Sequence, residues 1–442
     1  MSGAPREKWN SRTGFVLAAI GSAVGLGNMW RFSYLAAEHG GAAFVVLYLG
    51  FTLLVGVPVL LAEMALGRGA RRSPIAALEH YGGRSWRGLG ALFVVSGFVI
   101  LAYYSVIAGW TFAYAISGLT GFGSDPAATF AEVSTGPDAV AWHLAFMALV
   151  VTVVIGGVRG GIERAAVFLM PALFVLLVGL ALYASGLEGS GEGYRRYLSI
   201  DVSAVFDRDV MVQAAGQAFF SLSLGMGAML TFASYVGRDT DLKRDSLVIS
   251  ASDFGVAFLA GLVVFPLIFA FGLEAQVGDS TLGALFITLP AAFAEMGAAG
   301  RVVGTLFFVG LAVGALTSAV SLLEVVVSTA IDSLGLSRRR ATLFFGSVTA
   351  LLGIPAALDI EILGLMDQVA GNFLLVLGGF LLAVFVGWRM PDPVAAVLPG
   401  AASRWGLGAW RGLLRYVVPP ILLWVLWGSA EATLAAVGAV LG

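Results

Sequence analysis

The sequence predicts an all-α polytopic membrane protein with eleven transmembrane helices, and three observations carry that expectation. Hydrophobic residues make up 59% of the chain and charged residues only 12%. Apolar runs long enough to cross a bilayer, about eighteen residues or more, recur from one end to the other. Basic residues gather in alternate loops, the pattern left by loops that face the two sides of a membrane in turn. The net charge of -2 is made by bases spread among loops, so there is no single patch for nucleic acid. The chain has no cysteine, which excludes disulfides, thiolate metal sites and cysteine catalysis.

The first span covers residues 14–37 and leads directly into a second at 41–67, so it reads as a true span and not a cleaved signal. The others fall at 88–119, 140–157, 162–186, 211–236, 245–273, 300–331, 340–357, 361–388 and 411–438. Arg6, Lys8 and Arg12 precede the first span. Further bases fall in alternate loops at Arg68, Arg71, Arg72, Arg84 and Arg87, then Arg159, then Arg238, Lys243 and Arg244, then Arg338, Arg339 and Arg340. This distribution predicts a cytoplasmic N-terminus, an external C-terminus and residence in the cell's inner (cytoplasmic) membrane. The loop from Leu187 to Asp209 mixes charge signs and reads as external, with a short interfacial helix.

Within the first span, "AIGSAVGLGNMWRFS" places glycines, Asn28 and Arg31 where hydrocarbon should reject them. The stretch has an echo: "VGLGNMWRF" from Val24 matches "LGMGAMLTF" from Leu224 at two glycines, a methionine and a phenylalanine. Five spans separate the copies, so they enter from opposite sides, which outlines an inverted repeat. Glycine-interrupted segments at corresponding positions of two halves point to a binding site near the bilayer midplane. Close packing by small residues is the plain alternative for Gly25, Gly27, Gly225 and Gly227, but it does not account for Asn28. A helix broken there frees carbonyls and amides that an ion or polar ligand can satisfy.

Other polar groups lie at similar depth. Asp253 is roughly 13 Å into its span after Arg244, and "GALTSAVS" puts Thr317 and Ser318 mid-span. Hydroxyls commonly bond one turn back, so Thr317 and Ser318 alone are ordinary. A carboxylate costs several kcal/mol in the bilayer, so Asp253, Glu63, Glu324 and Asp367 are candidate functional residues, with solvation at the cytoplasmic end the alternative for Glu324. Oxygen ligands without cysteine or a histidine cluster suit a hard cation.

From "REKW" at Arg6 through "GSAVGLGNMWRF", "AEMALGR", "YYSVIAGW", "GQAFFSLSLGMGAMLTFASY" and "GALTS" to "MDQVAGN" at Met366, the chain resembles the neurotransmitter:sodium symporters, and within them the bacterial amino-acid branch. The resemblance implies a 5+5 inverted repeat with discontinuous helices 1 and 6 and one extra C-terminal helix. The division is then a cytoplasmic segment 1–13, a first repeat 14–186, an external loop 187–210, a second repeat 211–388, and a cytoplasmic loop with the eleventh helix over 389–442. The function implied is sodium-coupled symport by alternating access, with no enzymatic activity.

By the same resemblance one Na+ would sit among the Ala23 carbonyl, Asn28, Ser221, Asp253 and the substrate carboxylate. A second would use the carbonyls of Gly21, Val24 and Gly314 with the hydroxyls of Thr317 and Ser318. Asp253 departs from members with asparagine there, and Ala257 lacks the glutamate or serine that some have nearby. The fixed carboxylate implies chloride independence, with protonation of Asp253 a candidate return step and Tyr48 and Gln217, which resemble chloride ligands, left as hydrogen-bond partners. Gly25 stands where monoamine carriers have aspartate, which implies an L-amino acid bringing its own carboxylate. Amides over Gly25, Leu26 and Gly27 with Tyr104 would hold that group, and carbonyls near Ala23, Phe220 and Ser223 the ammonium. Ile100, Phe220, Met226 and Leu322, beside Ser221 and Ser318, would give an apolar pocket for aliphatic or aromatic side chains.

Arg31 and Asp367 resemble an external gate pair, and Arg6 and Asp332 a cytoplasmic one, with Trp9 and Tyr235 nearby. Gly161 and Pro171 match a motif at which the fifth helix unwinds; a plain proline kink is the alternative. A twelfth span, present in many eukaryotic members, is missing, which puts a eukaryote-like dimer contact in doubt. Competing readings are a proton-coupled symporter of the same fold, an amino-acid-binding protein without transport, and a channel-like protein. His39, His80 and His143 fall near predicted span ends and do not converge with a nucleophile, which argues against an enzyme.

Overall fold

The computed structural model describes residues 6–273, 281–399 and 403–441; parts of the expected segments 1–13, 211–388 and 389–442 lie outside the described residues. The described chain is almost entirely helical. Nine helices among the described residues are long and apolar enough to cross a bilayer, and one bent pair makes a tenth crossing. That pair is α1 (Arg12–Ala23) and α2 (Gly27–Glu38), inclined at 60°. The continuous helices are α3 (Ala42–Ala70), α4 (Arg84–Thr120), α5 (Gly136–Ile155), α6 (Val158–Ser185), α9 (Leu242–Ala270), α10 (Ala298–Leu334), α11 (Arg338–Leu358), α12 (Ile360–Arg389) and α13 (Leu407–Gly438). The segment expected as the sixth span is two short helices, α7 (Arg208–Ser221) and α8 (Ala228–Ala233), joined by non-helical residues. Because of that break it does not count among the long apolar helices. Continuous helix ends fall within a few residues of the hydropathic limits.

The helices start and stop where short polar residues and glycine allow. Ser11 caps α1 by accepting from the Gly14 amide, Asp207 caps α7 and Asp241 caps α9. Gly335, left-handed at φ 67°, ends α10. α10 and α4 form the centre, with 78% and 67% of their most apolar stretches buried, whereas α13 is only 11% buried and lies at the periphery. Small residues let backbones approach: a side chain at Gly109 would strike the backbone of Trp142, and one at Gly353 would strike Ala102 and the His143 ring. His143 is fully buried between Ser105 (3.0 Å) and the Ala350 carbonyl (2.8 Å), a cross-link of α4, α5 and α11.

The long loop expected to be external does contain a helix, Ser190–Leu198, but it is anchored on protein instead of floating at the interface. Tyr197 is fully buried against Phe258 and Phe265 of α9, and its hydroxyl donates to the Phe258 carbonyl at 3.2 Å. An aromatic ring with a polar tip satisfies both demands of that position.

Candidate substrate and cation site

The two breaks face each other. α1 ends at Ala23, Val24 is extended (φ -73°, ψ 112°), and the chain re-enters helix beyond Gly25. Residues 222–227 are a run of turns in which Ser223, Gly225 and Gly227 all take positive φ (53°, 80° and 75°). Glu63, fully buried on α3, accepts from the freed amides of Gly225 (2.8 Å) and Leu230 (3.3 Å). Ser223 ties the breaks together by donating to the Ser22 carbonyl at 2.8 Å.

A cavity with ≈ 370 Å³ of atom-free space, its mouth included, lies between the breaks. It is lined by Ala23, Gly25, Gly27 and Asn28 from the first break, Ile100 and Tyr104 from α4, Phe220, Ser221, Ser223 and Met226 from the second, and Ser318 and Leu322 from α10. Its lining, polar at one end and apolar at the other, is that of a site for a small amphiphilic molecule. At its polar end the Leu26 amide donates to the Tyr104 hydroxyl (3.2 Å), and the Gly25 amide to Asn28 Oδ1 (2.9 Å). A Cβ at Gly25 would lie 2.7 Å from the Ser318 hydroxyl and 2.8 Å from that of Tyr104, so only glycine leaves this end open. The far end is apolar.

Two oxygen clusters flank the cavity. In the first, the Asp253 carboxylate is fully buried and receives Asn28 Nδ2 (2.7 Å to Oδ1), the Tyr48 hydroxyl (2.9 Å to Oδ2) and the Ser221 hydroxyl, which lies 2.9 Å from both oxygens. Gln217 donates to the Gly27 carbonyl at 2.9 Å, leaving its own buried amide oxygen without a partner. In the second, the Ser318 hydroxyl lies 3.3 Å from the Gly21 carbonyl and 3.1 Å from that of Val24, and the Thr317 hydroxyl donates to Gly314 at 3.0 Å. Hydroxyls rotate, so groups that now donate to carbonyls can turn lone pairs toward a cation. No group of three or more His, Cys, Asp or Glu able to hold a metal occurs among the described residues. A single carboxylate among neutral oxygens instead matches a hard, monovalent cation.

On the side of the N-terminus, Arg6 Nη1 reaches both carboxylate oxygens of Asp332 (2.9 and 2.8 Å), and its guanidinium lies 4.9 Å from the Tyr235 ring centre. Beneath it Trp9 donates to the Phe232 carbonyl at 2.9 Å and packs on Phe15, Phe232 and Tyr235. On the other side Arg31 and Asp367 make no direct ion pair. Arg31 donates to Asn372 Oδ1 at 3.0 Å, Asn372 lies 3.4 Å from Asp367, and Tyr103 donates to Asp367 at 2.7 Å. Arg31 also lies 5.0 Å from the centre of the Phe220 ring, which roofs the cavity. Gly161 lies in a stretch of wide π turns, Val158–Glu163, and Pro171 within regular helix beyond it, so this segment is wound here and not open.

Several participants carried no sequence signal. Glu163 accepts from the amides of Asn10 and Ser11 (2.7 and 3.0 Å), and Glu7 is joined through Arg338 (2.6 Å to each carboxylate) to Glu324, the one member of this group that the sequence singles out. Asn372, five residues after Asp367, is also among them.

Paired helix breaks around a central cavity, with oxygen clusters beside it and charged clusters beyond it on either side, match the inverted-repeat class of membrane carrier. The chain belongs to the sodium:neurotransmitter symporter family, whose model matches residues 6–123 and 131–396. It is 35% identical to an uncharacterised sodium-dependent transporter of Methanocaldococcus jannaschii, over 96% of this chain and 90% of that one. It is also 35% identical to an uncharacterised sodium-dependent transporter of Bacillus subtilis, over 93% and 95%. Among solved structures, MhsT in complex with L-phenylalanine superposes with a TM-score of 0.86 at 39% identity, covering 96% of this chain and all of that one. The protein is thus a sodium-dependent membrane transporter, and not an enzyme.

Proposed function

We propose that the protein imports a hydrophobic L-amino acid, aliphatic or aromatic, together with two sodium ions and without chloride. The carrying observation is the cavity itself: the amides of Gly25 and Leu26 with Asn28 and Tyr104 at one end, an apolar wall of Ile100, Phe220, Met226 and Leu322 at the other, and no fixed charge for a ligand amine at Gly25. The substrate carboxylate would complete the shell of the cation held by Ala23, Asn28, Ser221 and Asp253, so that ion and substrate bind as a unit. The second cation would take Gly21, Val24, Gly314, Thr317 and Ser318. L-phenylalanine in the MhsT structure supports the substrate class. Chloride independence is supported by Tyr48 and Ser221, whose hydroxyls are committed to the Asp253 carboxylate. In this reading the N-terminus is cytoplasmic, Arg6, Asp332, Trp9 and Tyr235 form the inner gate, and Arg31 and Asp367 belong to the outer one. Gly161 and Pro171 mark where α6 would open a water path to the second ion.

The energetics suffice for uphill import. With a tenfold sodium gradient and 100 mV, each ion delivers about 3.7 kcal/mol, roughly 2.3 electrical and 1.4 chemical. Two ions would concentrate a zwitterion about 10⁵-fold. The deciding experiment is a thermal-shift screen of the purified protein against the twenty amino acids, with sodium or with choline at fixed pH. Stabilisation by hydrophobic amino acids that requires sodium is expected; stabilisation unchanged in choline would overturn the coupling.

A further inference from the structure

The cytoplasmic ends of α12 and α13 meet where little of the transport machinery reaches. The Arg415 guanidinium donates to the Gly387 carbonyl, bringing the two helix ends into contact, and the rings of Trp388 and Tyr416 meet edge to face at 6.2 Å. Both rings are exposed, at 49% and 70%, on helices that cross the membrane. Arg389 follows Trp388, and Arg411 stands one turn before Arg415. Neither Arg389 nor Arg411 has an acidic partner within 4.0 Å among the described residues, and the Nε of Arg411 is buried without any hydrogen-bond partner. Elsewhere on the same face Arg6, Arg12, Arg87 and Arg338 are paired with carboxylates, whereas Arg71, Arg72, Arg84, Arg339 and Arg340 have no such pair among the described residues; what distinguishes Arg389, Arg411 and Arg415 is the exposed aromatic pair beside them.

Three guanidiniums without a protein anion, set beside an exposed aromatic pair, match the two parts of a phospholipid. Arginine clusters at the cytoplasmic membrane boundary attract anionic headgroups, and a guanidinium fork suits a phosphate. Tryptophan and tyrosine favour the headgroup level, where one edge of the ring is wet and the face lies on hydrocarbon. We propose that the surface where the inner ends of α12 and α13 meet holds one anionic phospholipid of the cytoplasmic leaflet, with its phosphate on Arg389, Arg411 and Arg415 and its acyl chain along Trp388 and Tyr416.

The test is native mass spectrometry of the full-length protein released from nanodiscs of phosphatidylcholine containing phosphatidylglycerol. The wild type is expected to retain phosphatidylglycerol in preference to phosphatidylcholine. Arg389→Gln with Arg411→Gln should lose one retained anionic lipid and weaken its apparent affinity about 25-fold, some fivefold per arginine. Arg339→Gln with Arg340→Gln, which removes the same charge from another part of the inner face, should leave that lipid in place. Equal retention of the two lipids by the wild type would overturn the proposal, and so would equal losses in the two double variants. The wild-type comparison decides even if a variant does not fold.

Discussion

Asp253 is where one side chain has most to decide. Its carboxylate stands at the centre of Asn28, Tyr48 and Ser221, and in the function proposed above its buried charge would substitute for a mobile anion. Uptake by Asp253→Asn is therefore expected to fall at least tenfold in chloride-free buffer and to recover in part when chloride is added, measured as sodium-driven flux into proteoliposomes. Ser223 offers a second test, since it is held left-handed while its hydroxyl bonds Ser22. Ser223→Ala keeps the strain and loses the bond; Ser223→Gly loses the bond and relieves the strain, so the two variants differ by the strain alone. The alanine variant should be less stable by about 1 kcal/mol, read from thermal melts. Asn28, Asp253 and the glycines were legible because each is polar or chain-breaking within hydrocarbon. Asn372 was not. Five residues of α-helix would carry it about 140° away from Asp367. The wide turns over Asp367–Leu374 bring it onto the same face, and nothing in hydropathy reports a π turn.

At the scale of elements, the broken segments are held open by tertiary contacts more than by their own sequence. Gly225 shows this: beyond its positive φ of 80°, a Cβ there would lie 2.1 Å from the Leu375 carbonyl of α12. Gly225→Ala should lower the melting temperature by several degrees, since both strain and collision are added, while Gly255→Ala is expected to be neutral or to stabilise by up to about 1 kcal/mol. Gly255 sits in α9 with nothing within 4 Å of where its Cβ would be. Long continuous spans were legible to within a few residues because apolar length alone specifies them. The helices outside the membrane, such as Pro126–Ser134 and Ser190–Leu198, were read poorly or only in outline, because they are short and owe their stability to buried anchors such as Phe130 and Tyr197.

For the molecule as a whole, the two gates proposed above differ in kind. The one on the side of the N-terminus, read as cytoplasmic, is built of full charges: Arg6 with Asp332, Arg12 with Asp245, and Arg338 with Glu7 and Glu324. Removing Arg6 should loosen it. Because the native chain has no thiol, a single Ala18→Cys, at a position now 3% exposed, reports on that side alone. Its labelling rate is expected to rise severalfold on adding Arg6→Ala, followed by mass shift in detergent. The outer gate instead passes through the neutral amide of Asn372. Mobile ions shield charge over about 8 Å at physiological strength and about 3 Å at 1 M. That shielding reaches the partly exposed pairs, Arg6 with Asp332 and Arg338 with Glu7, more than the buried Glu324, so an inert electrolyte inside the cell would slacken the rim of one door and barely touch the other, and internal salinity becomes a lever on how readily cargo is let go.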